Sequence, residues 1–278
     1  MKNEGSFESI ITRHIVNDSF DSECPDISLV ILCYKTGDKI YNFLNRAIKS
    51  LESVTANWEI ILVGNYWPAT DDATPKIVKE IASSNPKIQA VTKPKEGGMG
   101  WDARSGFDLC RGKIVALIDG DEQMVAEDIA KGYQILTSKE VDLVKTFRQQ
   151  RHDPWIRRIN SLIYNIIYNA IFPGYFVQDV NSKPKILRKS ALEQMGLRSN
   201  DWFLDAEMMI RARRLQLKFI EFPTIFLRSI HRKSFVRISA IFEFLKNLIV
   251  ARFQEFFRLP PQMTKTQAPI NPPVEVVN

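Results

Sequence analysis

The chain has little that would anchor or cross-link it. Its three cysteines, Cys24, Cys33 and Cys110, are odd in number and widely spaced, with no CxxC pair. Neither a disulfide framework nor a zinc site is therefore suggested, and a reducing cytosol fits best. No uncharged apolar run reaches the length of about 18 residues that a membrane span needs. The opening residues, MKNEGSFESI, lack the apolar core of a secretory signal. The first strand is followed by neither GxGxxG nor a Walker-type loop, which removes support for a dinucleotide-binding or P-loop site. Histidine is scarce too, and His231 reads as a solvated loop residue rather than a catalyst.

What is present is a globular chain of 278 residues, 45% hydrophobic and 25% charged, long enough for one large or two small domains. Its formal charge of +6 is unevenly spread. Arginine and lysine gather in the second half, at Arg148, Arg151, Arg157, Arg158, Arg211, Arg213, Arg214, Arg228, Arg232, Lys233 and Arg237. Anionic partners follow from that, a nucleotide diphosphate or a phospholipid surface before nucleic acid, for which no motif accompanies the arginines. The 211–214 cluster also reads as a solvated helix face.

Periodicity predicts strands at 27–33, 58–63, 88–91, 114–118, 141–147 and 185–188, and a strand over 218–228 broken by Pro223. Helices are expected between them, at about 38–53, from Thr74, and at 101–111, 126–138 and 203–216. Alternation of this kind means βαβ units and a mainly parallel sheet. Segment 153–171 carries Ile, Tyr and Ala at helical spacing, with arginines and asparagines opposite. It can pack on a core or lie in a membrane interface. Residues 1–25 read as a loose arm, 26–234 as the main domain, 235–259 as a further amphipathic helix and 260–278, rich in proline, as disordered.

The organising stretch is Lys113 to Gln123, KIVALIDGDEQ. A buried strand runs straight into Asp119, Asp121 and Gln123, hard oxygen donors suited to Mg²⁺ or Mn²⁺, with Gly120 read as the bend that lets both acids face one ion. An ordinary Asp/Gly turn is the plainer alternative.

Taken together, the motifs resemble those of family-2 glycosyltransferases of the GT-A fold, most closely the polyprenyl-phosphate branch typified by dolichol-phosphate mannose synthase. Cys33-Tyr34 ends the first strand. Gly97-Gly98-Met99-Gly100 with Arg104 and Gly106, then Arg111-Gly112, is similar to the family's glycine-rich turn and helix. Asp119-Gly120-Asp121-Glu122-Gln123 resembles its metal motif. Phe147-Arg148, Arg158-x-x-Ser161, Asp179-x-Asn181-Ser182, Asp205-x-Glu207 and Arg228 with Arg232-Lys233-Ser234 follow in order. Where the family has Asp-Asp-Gly-Ser after its second strand, this chain has Val63-Gly64-Asn65-Tyr66, and base identity stays open.

The resemblance implies an α/β GT-A enzyme that moves a sugar, with inversion, from a nucleotide diphosphate sugar to a polyprenyl phosphate. It implies that Asp119, Asp121 and Gln123 bind Mg²⁺ or Mn²⁺. Donor and acceptor phosphate would be held by Tyr34, Asn65, Lys93, Gly98, Arg104, Asp119, Arg148, Arg158, Asp179, Arg232, Lys233 and Ser234. Asp205, Glu207 and Arg228 are the catalytic candidates, the two acids as bases if the acceptor is a hydroxyl. Asp205 also reads as helix N-terminal charge compensation. The expected location is cytoplasmic, peripheral on the inner membrane face. A glycan hydroxyl acceptor and a non-catalytic binding protein are the competing readings.

Overall fold

The computed structural model describes residues 24–227, 246–253 and 275–276. Within them the chain alternates strand and helix: β1 (Ile27–Leu32), α1 (Ile40–Glu52), β2 (Trp58–Val63), α2 (Thr74–Ser84), β3 (Ile88–Val91), α3 (Met99–Phe107) and β4 (Ile114–Asp119). It continues through α4 (Asp128–Ser138), β5 (Leu143–Arg151), α5 (Trp155–Ile171), β6 (Lys185–Arg188), α6 (Lys189–Met195), α7 (Leu204–Arg214) and β7 (Phe219–Phe226), with a two-residue strand β8 (Glu275–Val276).

The strands form one sheet in the order β3-β2-β1-β4-β6-β5-β7-β8, parallel except for β6, which runs against both neighbours. β1 and β2 are buried along their whole length, which is why they read as unbroken apolar runs. Alternate strand residues enter opposite cores. Leu29 and Ile31 pack with α1, α2 and α4, while Val30 and Leu32 pack on the side of α3, α6 and α7.

The sheet sets the site by register. Leu32 lies opposite Asp119 and Val63, so Tyr34, Asn65 and the acidic turn after β4 all leave from one edge. Because β6 is reversed, Lys185 is opposite Leu117, and the residues that enter β6 also stand at that edge.

Two expectations change. β7 is continuous through Pro223, which pairs in register with Phe147. Among the described residues β8 pairs only with Ile220 and Glu221, so Pro223 has no described strand on that side to which its missing N–H would donate. Helix α6 has only seven residues, too few to show a period. Of the segment 260–278, expected to be disordered, only residues 275–276 are described, as β8, and the rest lies outside the described residues. The expected arm up to residue 23 and most of the expected helix 235–259 lie outside the described residues, although 246–253 is helical and Leu248 is buried in the core.

Candidate active site

Asp119, Asp121 and Gln123 follow one another out of β4, but the bend is not where the sequence suggested. Glu122, with φ 60°, takes the left-handed conformation, whereas Gly120 does not. Gly120 is needed for space: a Cβ there would stand 2.9 Å from Ile31 Cγ2 and 3.1 Å from Ile40 Cδ1. Asn42 Nδ2 steadies the strained residue by donating to Glu122 Oε1 at 2.6 Å. Gln123 donates its backbone N–H to Asp121 Oδ1 at 3.2 Å and its side-chain Nε2 to the Leu227 carbonyl at 3.2 Å. The Leu227 N–H returns to the Gln123 carbonyl at 2.8 Å, tying the acidic turn to the root of the basic segment at 228–234. Arg228, Arg232, Lys233 and Ser234 themselves lie outside the described residues.

Among the described residues, no three His, Cys, Asp or Glu side chains are grouped to hold a metal. Asp119, Asp121 and Gln123 offer two carboxylates and one amide oxygen on one turn, donor types that would suit a hard divalent ion keeping room for phosphate oxygens and water.

Lysines are the unexpected component. Lys183 Nζ is 3.3 Å from Asp119 Oδ2 and 3.1 Å from Asp205 Oδ2, and Lys185 Nζ is 2.5 Å from Asp205 Oδ1. Lys183, Lys185 and Asp205 are buried, and Asp119 alone keeps 27% of its side chain exposed. Burial would raise the Asp205 carboxyl, but the two ammonium groups outweigh it and hold it below the usual carboxylate range. Burial drives Lys185 the other way, down to about 8 despite its partner.

Sequence reasoning missed both lysines, because a buried Lys contradicts the usual surface rule. The available signal was their alternation, Lys183 and Lys185, at the entry of a strand otherwise apolar. A third, Lys145, is also fully buried and is paired with Glu221 at 2.8 Å.

The two candidate bases are both occupied. Asp205 gives both oxygens to lysines. Glu207 accepts the N–H groups of Arg198 (3.1 and 3.0 Å) and Ser199 (2.8 Å), bracing the loop before α7.

On the nucleotide side, Tyr34 lies half-buried under Lys95, whose ammonium is 4.6 Å from the ring centroid and is ion-paired with buried Asp102. Asn65 is buried and fully engaged. It donates to Asp102 Oδ1 at 3.0 Å and accepts the Lys93 backbone N–H at 2.8 Å. The glycine-rich turn is shaped by its own protein neighbour. Gly98 N–H donates to the Asn200 carbonyl at 2.6 Å, and a Cβ on Gly100 would sit 2.4 Å from the Ser199 carbonyl oxygen. Arg104 serves the same loop, reaching the Arg198 carbonyl at 3.0 Å and Asn200 Oδ1 at 2.6 Å. These contacts commit Asn65 and Arg104 within the protein.

Arg148, an expected phosphate ligand, is buried and bidentate on Asp179, at 2.6 and 2.7 Å, with Ser161 Oγ at 3.2 Å. The pair holds Asp179 well below the ordinary carboxylate range although its burial works in the opposite sense. Arg158 instead is half exposed and donates from Nε to the Asp153 carbonyl at 3.0 Å. Its neighbour Arg157 is lowered, mainly by burial and then by Arg148 and Arg151, while Asp153 and Asp121 pull it up.

Helix α5 shows solvent an apolar face. Trp155, Ile156, Ile159, Leu162, Ile163 and Ile166 are exposed, and only Tyr168 of the helix is fully buried. At its far end Ile171 joins Ile249, Arg252 and Phe253 around a shallow cavity of about 290 Å³. Among the described residues no helix is long and apolar enough to cross a membrane.

The family model described as glycosyl transferase family 2 matches residues 28–196. Dodecaprenyl-phosphate galacturonate synthase of Rhizobium johnstonii is 27% identical over 173 residues, 62% of this chain and 50% of that protein. Dolichyl-phosphate beta-glucosyltransferase ALG5A of Trichomonas vaginalis is 22% identical over 223 residues, covering 73% of this chain and 66% of its own. The chain spans about half the length of most of the curated relatives it matches. Among solved structures, glucosyl-3-phosphoglycerate synthase of Mycobacterium tuberculosis, crystallised with Mn²⁺, UDP and glucosyl-3-phosphoglycerate, superposes with a TM-score of 0.62 at 16% identity, over 82% of this chain and 80% of that one. S. aureus TarS with UDP-GlcNAc gives 0.52 at 14% identity, over 81% and 66%. The fold expected from the motifs, GT-A, is the fold observed.

Proposed function

The chain belongs to glycosyl transferase family 2, and on that premise we propose that it transfers a sugar from a nucleotide diphosphate sugar to a polyprenyl phosphate at a membrane surface. The observation that carries the choice of acceptor is the state of the two candidate bases. A sugar hydroxyl must lose a proton to attack, and the group that takes it needs a free oxygen and a suitable pKa. Asp205 is held ionised with both oxygens on lysines, and Glu207 is spent on backbone N–H groups. A phosphate acceptor is already ionised at neutral pH, so no base is required.

The roles then follow from charge. Asp119, Asp121 and the Gln123 amide oxygen would hold a divalent ion, which when bound supplies Lewis-acid stabilisation to the leaving diphosphate. Tyr34 and exposed Lys93 flank the nucleotide side of the edge. Arg228, Arg232, Lys233 and Ser234 are assigned to the donor phosphates by their position in the sequence. For the acceptor phosphate, Arg158 and its neighbour Arg157 replace Arg148, whose fork is closed by Asp179. One displacement with no covalent intermediate gives inversion at the anomeric carbon.

The exposed apolar face of α5, flanked at its first turn by those arginines, suits an interfacial helix lying at headgroup depth. The relatives named for dodecaprenyl and dolichyl phosphate support that acceptor class.

The test is nucleotide release from a panel of nucleotide sugars with Mn²⁺, with and without a short polyprenyl phosphate, in wild type and Asp121→Ala. Release that rises with the lipid phosphate and falls at least about a hundredfold in the variant is expected, since one lost electrostatic contact to the transition state is worth about 3 kcal/mol. Release indifferent to the lipid would sink the acceptor assignment in favour of a hydroxyl. No release and no nucleotide binding would sink the enzyme. Sedimentation of the full chain with anionic vesicles at low salt checks the surface, and full recovery in the supernatant would refute it.

A further inference from the structure

Lys183 has no task in the transfer as drawn, yet it occupies the centre of the acidic cluster. Its ammonium joins Asp119 Oδ2 and Asp205 Oδ2, and only 4% of the side chain is exposed. Asp205 does not need it as sole counter-ion, because Lys185 already holds the other oxygen. For Asp119 the case is different. Lys183 is its one charged side-chain partner among the described residues, and its carboxylate is the part of the cluster that faces outward.

A cation on one oxygen of a metal-binding carboxylate acts twice. It neutralises much of the charge that would draw a divalent ion, and it repels that ion at short range. Both effects oppose metal uptake by the protein alone. A nucleoside diphosphate reverses the balance, because its phosphate oxygens bring negative charge and ligands together. We propose that Lys183 is a resident cation of the site, neutralising Asp119 while no nucleotide is bound and making uptake of the divalent ion depend on the arrival of a nucleoside diphosphate. The inference rests on the assignment of Asp119 and Asp121 as metal ligands.

The reversed strand explains how the device is built. Residues entering an antiparallel β6 reach the carboxyl edge of β4 directly, so a side chain two residues before Lys185 meets Asp119.

The experiment titrates Mn²⁺ alone into the full chain, reading free Mn²⁺ by electron paramagnetic resonance. It compares wild type, Lys183→Gln, Lys183→Arg and the charge-balanced double variant Lys183→Gln/Asp205→Asn, each with and without Asp121→Ala and each with and without UDP. Removing a unit charge some 5 Å from a divalent ion, even with water-like screening, should tighten Mn²⁺ binding about tenfold. That gain is expected in full in Lys183→Gln, is smaller in the double variant because it also removes the Asp205 negative charge, is absent in Lys183→Arg, and narrows when UDP is present. A lysine that merely supports the fold would weaken binding when removed. The double variant guards against failure of the single one to fold, since it removes opposite charges together. Equal or weaker Mn²⁺ binding in folded Lys183→Gln and in the double variant, with Asp121→Ala still abolishing it, overturns the role of Lys183 alone. Binding untouched by Asp121→Ala in every background overturns the metal assignment and the proposal with it.

Discussion

The two ends of the central strands bury acids in opposite ways. At the amino end, Glu59 accepts from Ser28 Oγ at 2.6 Å, from the Arg111 backbone N–H at 2.7 Å and Nε at 2.9 Å, and from Gln89 Nε2 at 3.3 Å. The acid is sealed in and its cation, Arg111, reaches solvent. At the carboxyl end the arrangement is inverted: the lysines are sealed in and Asp119 reaches out. A carboxylate whose lone pairs are all filled can only hold the fold together. One that keeps an oxygen toward solvent while its counter-ion is buried behind it is prepared for a ligand that has yet to arrive. The contrast separates two acids that look alike in the sequence, each standing at the end of a buried apolar strand.

That contrast breaks most sharply under truncation. Glu59→Ala should cost about 3 kcal/mol of stability, because the Ser28 hydroxyl and the backbone N–H and Nε of Arg111 lose their shared acceptor. Transfer per folded molecule should stay close to wild type. Asp121→Ala should do the reverse, leaving the melting temperature almost unchanged while transfer falls at least about a hundredfold. Thermal melts paired with turnover on the same samples check both. Loss of activity without loss of stability in Glu59→Ala would erase the distinction between the two ends.

Asp205 sharpens the comparison from within the carboxyl end. As a base it would carry turnover, and Asp205→Asn would abolish it. As the acceptor of two lysine ammonium groups it organises Asp119 from behind, and an amide oxygen can still accept from one of them. The expected loss is about tenfold in kcat, with the acid limb of the pH profile unmoved. A limb that vanishes in the variant would return Asp205 to proton transfer and the acceptor to a hydroxyl.

How far the sequence reached differs between the same two regions. The strands from β1 to β4 were legible because parallel strands buried on both faces read as continuous apolar runs, and the acidic turn was legible because it follows one of them without a spacer. The resemblance named Asp119, Asp121 and Gln123, and the fold delivers all three to one turn. What could not be read was the traffic between segments distant in sequence. Asn65, Arg104 and Arg148 carry polar groups suited to a ligand, yet each is occupied by protein partners that only the folded chain brings near. Gly97 and Gly100 belong to the glycine-rich turn named by the resemblance and are required by the backbone of residues 199–201 pressed against them. Lys145, Lys183 and Lys185 were passed over because burial of lysine follows from its partner, and Glu221 and Asp205 lie on other elements.

The smallest effect tests a third acid, outside both clusters. Asp128, in the first turn of α4, accepts from Thr224 Oγ1 on β7, and burial pushes its carboxyl up to about 6 despite that bond and Lys131. The folded protein therefore binds this proton more tightly than the unfolded chain does. Stability from the group is full below the ordinary Asp value near 4 and is lost as pH rises through about 6. Asp128→Asn removes the ionisation and keeps an oxygen for Thr224. At pH 8 the variant should be more stable by about 1 kcal/mol, the half-buried position softening the full effect of the shift. The advantage should shrink as pH falls from 6 to 4. Melting curves of both proteins across that range would show convergence, whereas a constant offset would mean that Asp128 titrates normally and that the amino and carboxyl ends hold all the perturbed acids that matter to this sheet.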